Sequence, residues 1–360
     1  MRLSGGEFRI GDLFEFHTSK KRFDANKVQV LEAGQYPYVV RTALNNGIKG
    51  FIDESPEFLN DGNTISFGQD TATMFYQKKP YFTGDKIKIM KAKFGKFNGR
   101  NAQFILPVMS KAFSSFSWGS SSFKVSELKN VKCQLPVQNG NLHLDFMENF
   151  VAELEAQRTA ELEAYLSAAG LKDYTLTTDE ERAFADFGQQ QWRRFNLHTL
   201  FGKATRGKRL KSDDRISGCL PFVTAGEADT GISAFIGNPV HRFKANTVTI
   251  DMFGSAKYRN YEYGADDHVA VVHTDELEKM AVLFITSAIH KAAYTGEFHY
   301  GRNFYAKDAD NLMINLPVKD GEPDYAYMQT LISAVQKQVI KDVVRYADEK
   351  IAATKTVTAR

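Results

Sequence analysis

The chain has 360 residues, 43% of them hydrophobic and 25% charged, with a formal net charge of +3. That is room for two domains that each bury a core, in the composition of a soluble globular protein. No run of eighteen apolar residues occurs, which excludes a membrane-spanning helix, and the opening MRLSGGEFRIGDLF lacks the apolar stretch of an export signal.

In chain order, strands are expected at Tyr36–Arg41, Asn63–Phe67 and Lys86–Met90, broken by turns such as Asn45-Asn-Gly47 and Asp61-Gly62. A short helix is expected at 101–113. Leu135-Pro-Val137, a Gly turn and a long helix from about 142 to 168 follow, the helix running roughly 40 Å at 1.5 Å per residue. The same grammar then returns. Strands are expected at Leu220–Thr224, Thr247–Met252 and His268–Val272, and a helix at 276–293. Leu316-Pro-Val318, a Gly turn and a second long helix close the chain.

This recurrence is an internal duplication of residues 8–151 at 195–332. Phe8-Arg-Ile-Gly-Asp-Leu-Phe14 meets Phe195-Asn-Leu-His-Thr-Leu-Phe201 at an offset of 187. Gly47, Ile48, Phe51 and Ile52 meet Gly231, Ile232, Phe235 and Ile236 at 184. Asn63-Thr-Ile-Ser66 meets Asn246-Thr-Val-Thr249 at 183, and Trp118-Gly119 meets Tyr300-Gly301 at 182. Leu135-Pro-Val137 meets Leu316-Pro-Val318 at 181. Order is kept throughout while the offset drifts by six, which chance similarity does not do. The long helices align too: Met147, Val151, Leu154, Arg158, Leu162 and Tyr165 against Met328, Ile332, Val335, Val339, Val343 and Tyr346. Steps of three and four make these a coiled-coil-like seam, interrupted by Arg158 in the first copy.

Charge is segregated along the chain. Residues 193–211 carry seven basic side chains and no acid, and 78–100 carry eight against Asp85 alone. Residues 145–186 carry eleven acids against three bases. One face can therefore be a phosphate footprint while another is acidic.

Motifs of catalysis are sparse. Gly202-Lys-Ala-Thr-Arg-Gly-Lys-Arg209 has the spacing of a phosphate-binding loop, but Arg209 stands where Ser or Thr should hold magnesium. The first copy reads Glu15-Phe-His-Thr-Ser-Lys-Lys-Arg22 there. Thr18, Lys21 and Arg22 meet Thr205, Lys208 and Arg209, yet both glycines are absent. The shared feature is a basic loop. No Gly-x-Gly loop, no Asn-Pro-Pro-aromatic or Asp-Pro-Pro-aromatic tetrapeptide and no HxH or HExxH pair occurs, so no catalytic residue and no metal site is expected. Cys133 and Cys219 have no CxxC partner and suit a reducing cytoplasm.

Polar and aromatic loop residues remain as DNA-contact candidates, because Arg and Lys neutralise phosphates or pair with guanine and Asn and Gln pair with adenine. In the first copy they are Lys20, Lys21, Arg22, Arg41, Asn45, Asn46, Lys49, Gln69, Thr71, Thr73, Lys96, Asn98, Arg100 and Asn101. In the second they are Arg206, Lys208, Arg209, Lys211, Thr224, Glu227, Thr230, Ser255, Lys257, Tyr258, Arg259, Tyr300, Arg302 and Asn303.

The whole resembles the specificity subunits of type I restriction–modification systems and their type IIB relatives. The carrying segments are YPYVVRTALNNGIKGFI (36–52) with LPFVTAGEADTGISAFI (220–236), NTISFGQDTATMFYQKKPYFTGDKIKIM (63–90) and LPVKDGEPDYAYM (316–328). Lys341-Asp-Val-Val-Arg-Tyr346 is more similar to the type IIB form. The resemblance implies an α+β fold: two pseudo-symmetric target-recognition domains, each a twisted sheet with short helices, joined by two long antiparallel coiled-coil-like helices. The expected divisions are 1–138, 139–192, 193–318 and 319–360. It implies that each domain reads one half of a bipartite double-stranded DNA site and that the helices set the unread spacer. It implies also that methyltransferase, or fused nuclease–methyltransferase, subunits dock on the scaffold. Those partners would bring S-adenosylmethionine, and magnesium if they cleave; the chain itself would bind no cofactor and work away from membranes. Thr71-Ala-Thr-Met74 becomes Gly254-Ser-Ala-Lys257 in the second copy, so the halves should read different sequences. The other class left open is a non-enzymatic protein-interaction scaffold with duplicated binding domains.

Overall fold

A computed structural model describes residues 4–114 and 124–358; Trp118 and Gly119 lie outside them. The first copy runs β1 (Ser4–Arg9), α1 (Ile10–Leu13), β2 (Phe14–Thr18), β3 (Pro37–Val39), β4 (Ile48–Phe51), β5 (Thr64–Gly68), β6 (Met74–Gln77), β7 (Phe82–Thr83), β8 (Ile87–Ala92), α2 (Gly99–Ala112), α3 (Val125–Asn130), β9 (Lys132–Gln138), β10 (Asn141–Leu142) and α4 (Leu144–Ala168). A connector carrying α5 (Thr178–Ala185) leads to the second copy. That copy runs β11 (Trp192–Asn196), α6 (Leu197–Phe201), β12 (Thr205–Arg206), β13 (Ser217–Val223), β14 (Ile232–Ile236), β15 (Thr247–Asp251), β16 (Ala256–Arg259), β17 (Gly264–Ala265), β18 (Val269–Val272), α7 (Lys279–Ala293), α8 (Ala306–Asn311), β19 (Met313–Lys319), β20 (Glu322–Pro323) and α9 (Tyr325–Thr358).

The duplication is reproduced strand for strand. The first copy has sheets ordered β2-β8-β5-β6, β4-β3-β7 and β1-β9-β10; the second has β12-β18-β15-β16, β14-β13-β17 and β11-β19-β20. In each, one short pairing is parallel, β3 with β7 and β13 with β17. The register slips at the same point, Tyr38/Val39 and Phe222/Val223. A bulge kept in both copies bends the strand at a chosen place.

The cores match as well. Ile10, Ile65, Phe67, Leu135 and Met147 are buried together in the first copy, and Leu197, Val248, Ile250, Leu316 and Met328 in the second. Alternation explains the central strands: Ile65 and Phe67 face the helix α2, while Thr64 and Ser66 turn to polar partners, Thr64 to Tyr81 and Ser66 to Gln77. Each long helix begins inside its module's core, at Met147 and Met328.

The chain divides into two compact units, residues 1–162 with 351–360, and residues 163–350. Within the first, α4 is tied down by Glu148, which accepts from Asn98 and Asn101. Within the second, the connector lies on α9: Glu180 accepts from Ser333 and Lys337, and Tyr327 donates to the Ala183 carbonyl. That packing moves the buried stripe of α9. Met328 is buried and Ile332 half-buried, but Val335, Val339, Val343 and Tyr346 are exposed, and the buried positions are Leu331, Ala334, Val344 and Ala347. The buried positions fall one before the expected ones at Leu331 and Ala334 and one after at Val344 and Ala347, each a turn of about 100° in opposite senses. On α4, Met147 and Val151 are buried and Leu162 half-buried, while Leu154 and Tyr165 are exposed and Arg158 pairs with Glu161 in its own helix.

Candidate nucleic-acid interface

In the first unit, the end of the β2-β8-β5-β6 sheet gathers Arg41, Gln69, Asp70, Thr71, Thr73 and Lys86. The turn after β5 is tight: Gly68 N–H donates to Thr73 O, and Gln69 N–H to Lys86 O. Gly68 is glycine because a Cβ would lie 2.5 Å from Thr73 Oγ1 and 2.7 Å from Thr71 Oγ1, which are themselves 2.9 Å apart. Arg41 and Lys86 both donate to Asp70 Oδ2. Beside them opens a cleft of about 550 Å³ lined by Arg22, Phe23, Tyr38, Val40, Arg41 and Asp85. Arg22 pairs with Asp85 across 3.2 Å. Lys20, Asn45, Asn46 and Lys49 are exposed; Lys21 is exposed but stacks its ammonium on Phe58, 4.2 Å from the ring centre.

The equivalent end of the second unit is built differently. Asp251, buried where the first copy has Gly68, accepts from the N–H groups of Phe253 and Ser255 and lies 3.5 Å from Lys257. Glu227 takes the other side of Lys257 at 3.2 Å, and hydrogen bonds from Ser255 and Lys257 hold its carboxyl below the usual range. Thr224 donates its N–H to Gly231 O, which closes the turn carrying Thr230. Tyr300 stands out at 85% exposure, its ring edge on Phe253 at 5.3 Å. Arg302 pairs with Glu297 and lies on Phe298. Asn303 is half-buried, and its Oδ1 meets no partner among the described residues. Arg206 ends β12, and Lys208, Arg209 and Lys211 follow in the loop after it; all four are exposed.

Both units thus present loops that project charged and hydrogen-bonding side chains from one end of the same sheet. Residues 6–164 match the family described as the type I restriction modification DNA specificity domain. Across 92% of this chain and 95% of the other, the sequence is 27% identical over 341 residues to the type II restriction enzyme specificity subunit S.BcgI of Heyndrickxia coagulans. The chain is similar, through its first module and over its length, to restriction–modification specificity subunits. Its fold is that of the type I S subunit from M. genitalium, with a TM-score of 0.64 and 14% identity over 99% of this chain and 94% of that one.

Several candidates turn out to be scaffold. Asn98 caps α2, accepting from the N–H groups of Arg100 and Asn101, and Asn101 returns the bond to Asn98 N–H while fully buried. Both also hold Glu148, and Arg100 approaches Glu155, so these three tie the first module to α4; Lys96 is exposed. Tyr258 donates to Asn246 Oδ1 as Tyr76 does to Asn63 Oδ1. Arg259 is 1% exposed and donates to Thr249, Thr230 and Tyr261. The glycine-rich stretch 202–209 is no phosphate cradle either. Thr205 and Arg206 pair with β18, and Gly207 is pressed against β17, where a Cβ would lie 1.7 Å from the Ala265 carbonyl.

Asp70, Asp251 and Gln77 are the site residues that sequence reading passed over. Asp266, Asp267 and His268 bring ligand atoms within 4.8 Å beside the basic loop, a cluster that motif spacing does not flag. No helix among the described residues is long and apolar enough to cross a membrane.

Proposed function

We propose that each module reads one half of a split double-stranded DNA site, and that α4 and α9 fix the unread distance between the halves. Methyltransferase subunits, alone or fused to a nuclease, dock on this scaffold and supply S-adenosylmethionine, with magnesium where they cleave. The chain contributes recognition alone. The observation that carries this reading is one three-sheet framework used twice with different side chains at the same end. Asp70, Arg41 and Lys86 stand there in one copy, Asp251, Glu227 and Lys257 in the other. Equal frameworks with unequal tips suit two different half-sites.

The test is reconstitution with the methyltransferase subunit and S-adenosylmethionine. The expected product is methylation at one asymmetric, interrupted sequence, and methylation without sequence preference overturns the reading. Gel shifts of the complex at rising salt should lose affinity steeply, as phosphate contacts require; binding that ignores salt points instead to a protein-binding scaffold.

A further inference from the structure

One carboxylate in the first module carries two cations. Arg41 Nη1 donates to Asp70 Oδ2 at 2.8 Å, and Lys86 Nζ donates to the same oxygen at 2.7 Å. Asp70 does not move freely, because the turn around it is closed by Gly68 N–H to Thr73 O and Gln69 N–H to Lys86 O. Arg41 is therefore held by a fixed group while its side chain stays 32% exposed at the rim of the cleft. Among the described residues its Nε and Nη2 donors meet no acceptor. A guanidinium gripped at one nitrogen presents the rest of its planar fork in one orientation.

That fork has a matching base. In the major groove only the guanine edge offers two adjacent acceptors, O6 and N7, and arginine meets both. Orientation by Asp70 removes rotamer freedom before binding, so less is lost on contact. The second module lacks the device. Ala225 stands at the Arg41 position, and Lys257 is 13% exposed and enclosed by Asp251 and Glu227.

We infer that Arg41, oriented by Asp70, reads one guanine in the half-site of the first module. This rests on the DNA-recognition reading above and assigns it a residue and a base.

The experiment uses the full chain assembled with its methyltransferase subunit, S-adenosylmethionine, and a DNA library holding every single substitution of the methylated site. With Arg41→Ala, discrimination at a single G·C pair of one half-site should fall roughly 5- to 150-fold. Preferences at the other positions, including the second half-site, should persist and report that the complex is assembled. Arg41→Lys keeps the charge without the fork and should lose most of the same discrimination; it also gives the readout should the alanine chain fail to assemble. Asp70→Asn should weaken that one pair less severely. A loss shared equally by all sequences with a shallower salt dependence makes Arg41 a phosphate contact and overturns the inference. So does an unchanged pattern, or full discrimination by the lysine variant. A wild-type complex with no sequence preference overturns the underlying reading instead.

Discussion

Lys337 Nζ lies 2.9 Å from Glu180 Oε2, joining the connector to α9. Glu180 is 5% exposed and is also bonded by Ser333 Oγ at 2.6 Å and Thr177 N–H at 2.7 Å. Burial alone would raise its carboxyl; those donors together bring it down to about 2. Glu180→Ala should cost about 2 kcal/mol, because Ser333 and the Thr177 N–H lose their acceptor while Lys337 keeps the Thr175 carbonyl and Asp173. The urea midpoint of the chain measures it. The pH dependence has a definite sign. A depressed carboxylate contributes stability above its ordinary value of 4.5, and that stability drains away as pH falls toward about 2. Glu180→Gln should flatten the stability profile across that window.

Arg259 is a buried cation with hydroxyl partners at Thr249, Thr230 and Tyr261, and its guanidinium lies 5.9 Å from the Tyr263 ring centre. Arg259→Ala should lower the melting temperature, with a loss of about 3 kcal/mol from the cavity and three orphaned partners. Arg259→Gln should recover part of it, since Gln77 does the corresponding work in the first copy. Limited proteolysis at 226–231 should accelerate in the alanine variant and less so in the glutamine one.

Two glycines of one loop should respond unequally. Gly202 has φ +72° and ψ −168° with open space around it, a backbone conformation essentially reserved to glycine, so Gly202→Ala should cost about 2 kcal/mol of strain. Gly207→Ala drives a methyl into the Ala265 carbonyl and should cost about 3 kcal/mol. Thermal unfolding of the two variants compares them directly, and magnesium–ATP should shift neither melting temperature.

The thiols should separate by accessibility. Cys133 is buried and burial pushes it up to about 11, whereas Cys219 is exposed. At pH 8 iodoacetamide should modify Cys219 in the folded chain and reach Cys133 only after denaturation, as peptide mass mapping would show.

Strand and helix positions were legible because the copies check one another. The expected helices at 101–113 and 276–293 are found at Gly99–Ala112 and Lys279–Ala293. The face of α9 was not legible. The step pattern favoured Val335 and Val339, but the connector packs against the turn carrying Ser333 and Lys337, and small Ala334 serves as core there. A distant segment chooses the buried side, and periodicity holds no record of it. Asn98 and Asn101 looked like readers of adenine. Their spacing three apart, just before the apolar run of α2, was the capping signal that separates them from a loop. Arg259 takes the place of Gln77, opposite Thr247 as Gln77 is opposite Thr64, and only the strand register shows that it points inward. Asp70 had none, because its role depends on Arg41 and Lys86 arriving from two other loops.

Gln77 donates to Ser66 and to the carbonyl of Asn46; Arg259 donates to Thr249 and to Thr230. Each turn, 45–47 and 229–231, is thereby anchored from beneath by a strand residue, through the Asn46 carbonyl in one copy and the Thr230 hydroxyl in the other, so tip side chains that make no such bond can vary with the anchor intact. Inheritance can then change what a tip says without asking the fold for permission. Mutational tolerance and molecular vocabulary sit on opposite sides of one buried hydrogen bond. A lineage under pressure to recognise new sequences can drift at the remaining tip positions, while Asn45, Asn46, Asp229 and Thr230 answer also to the left-handed backbone of their turns.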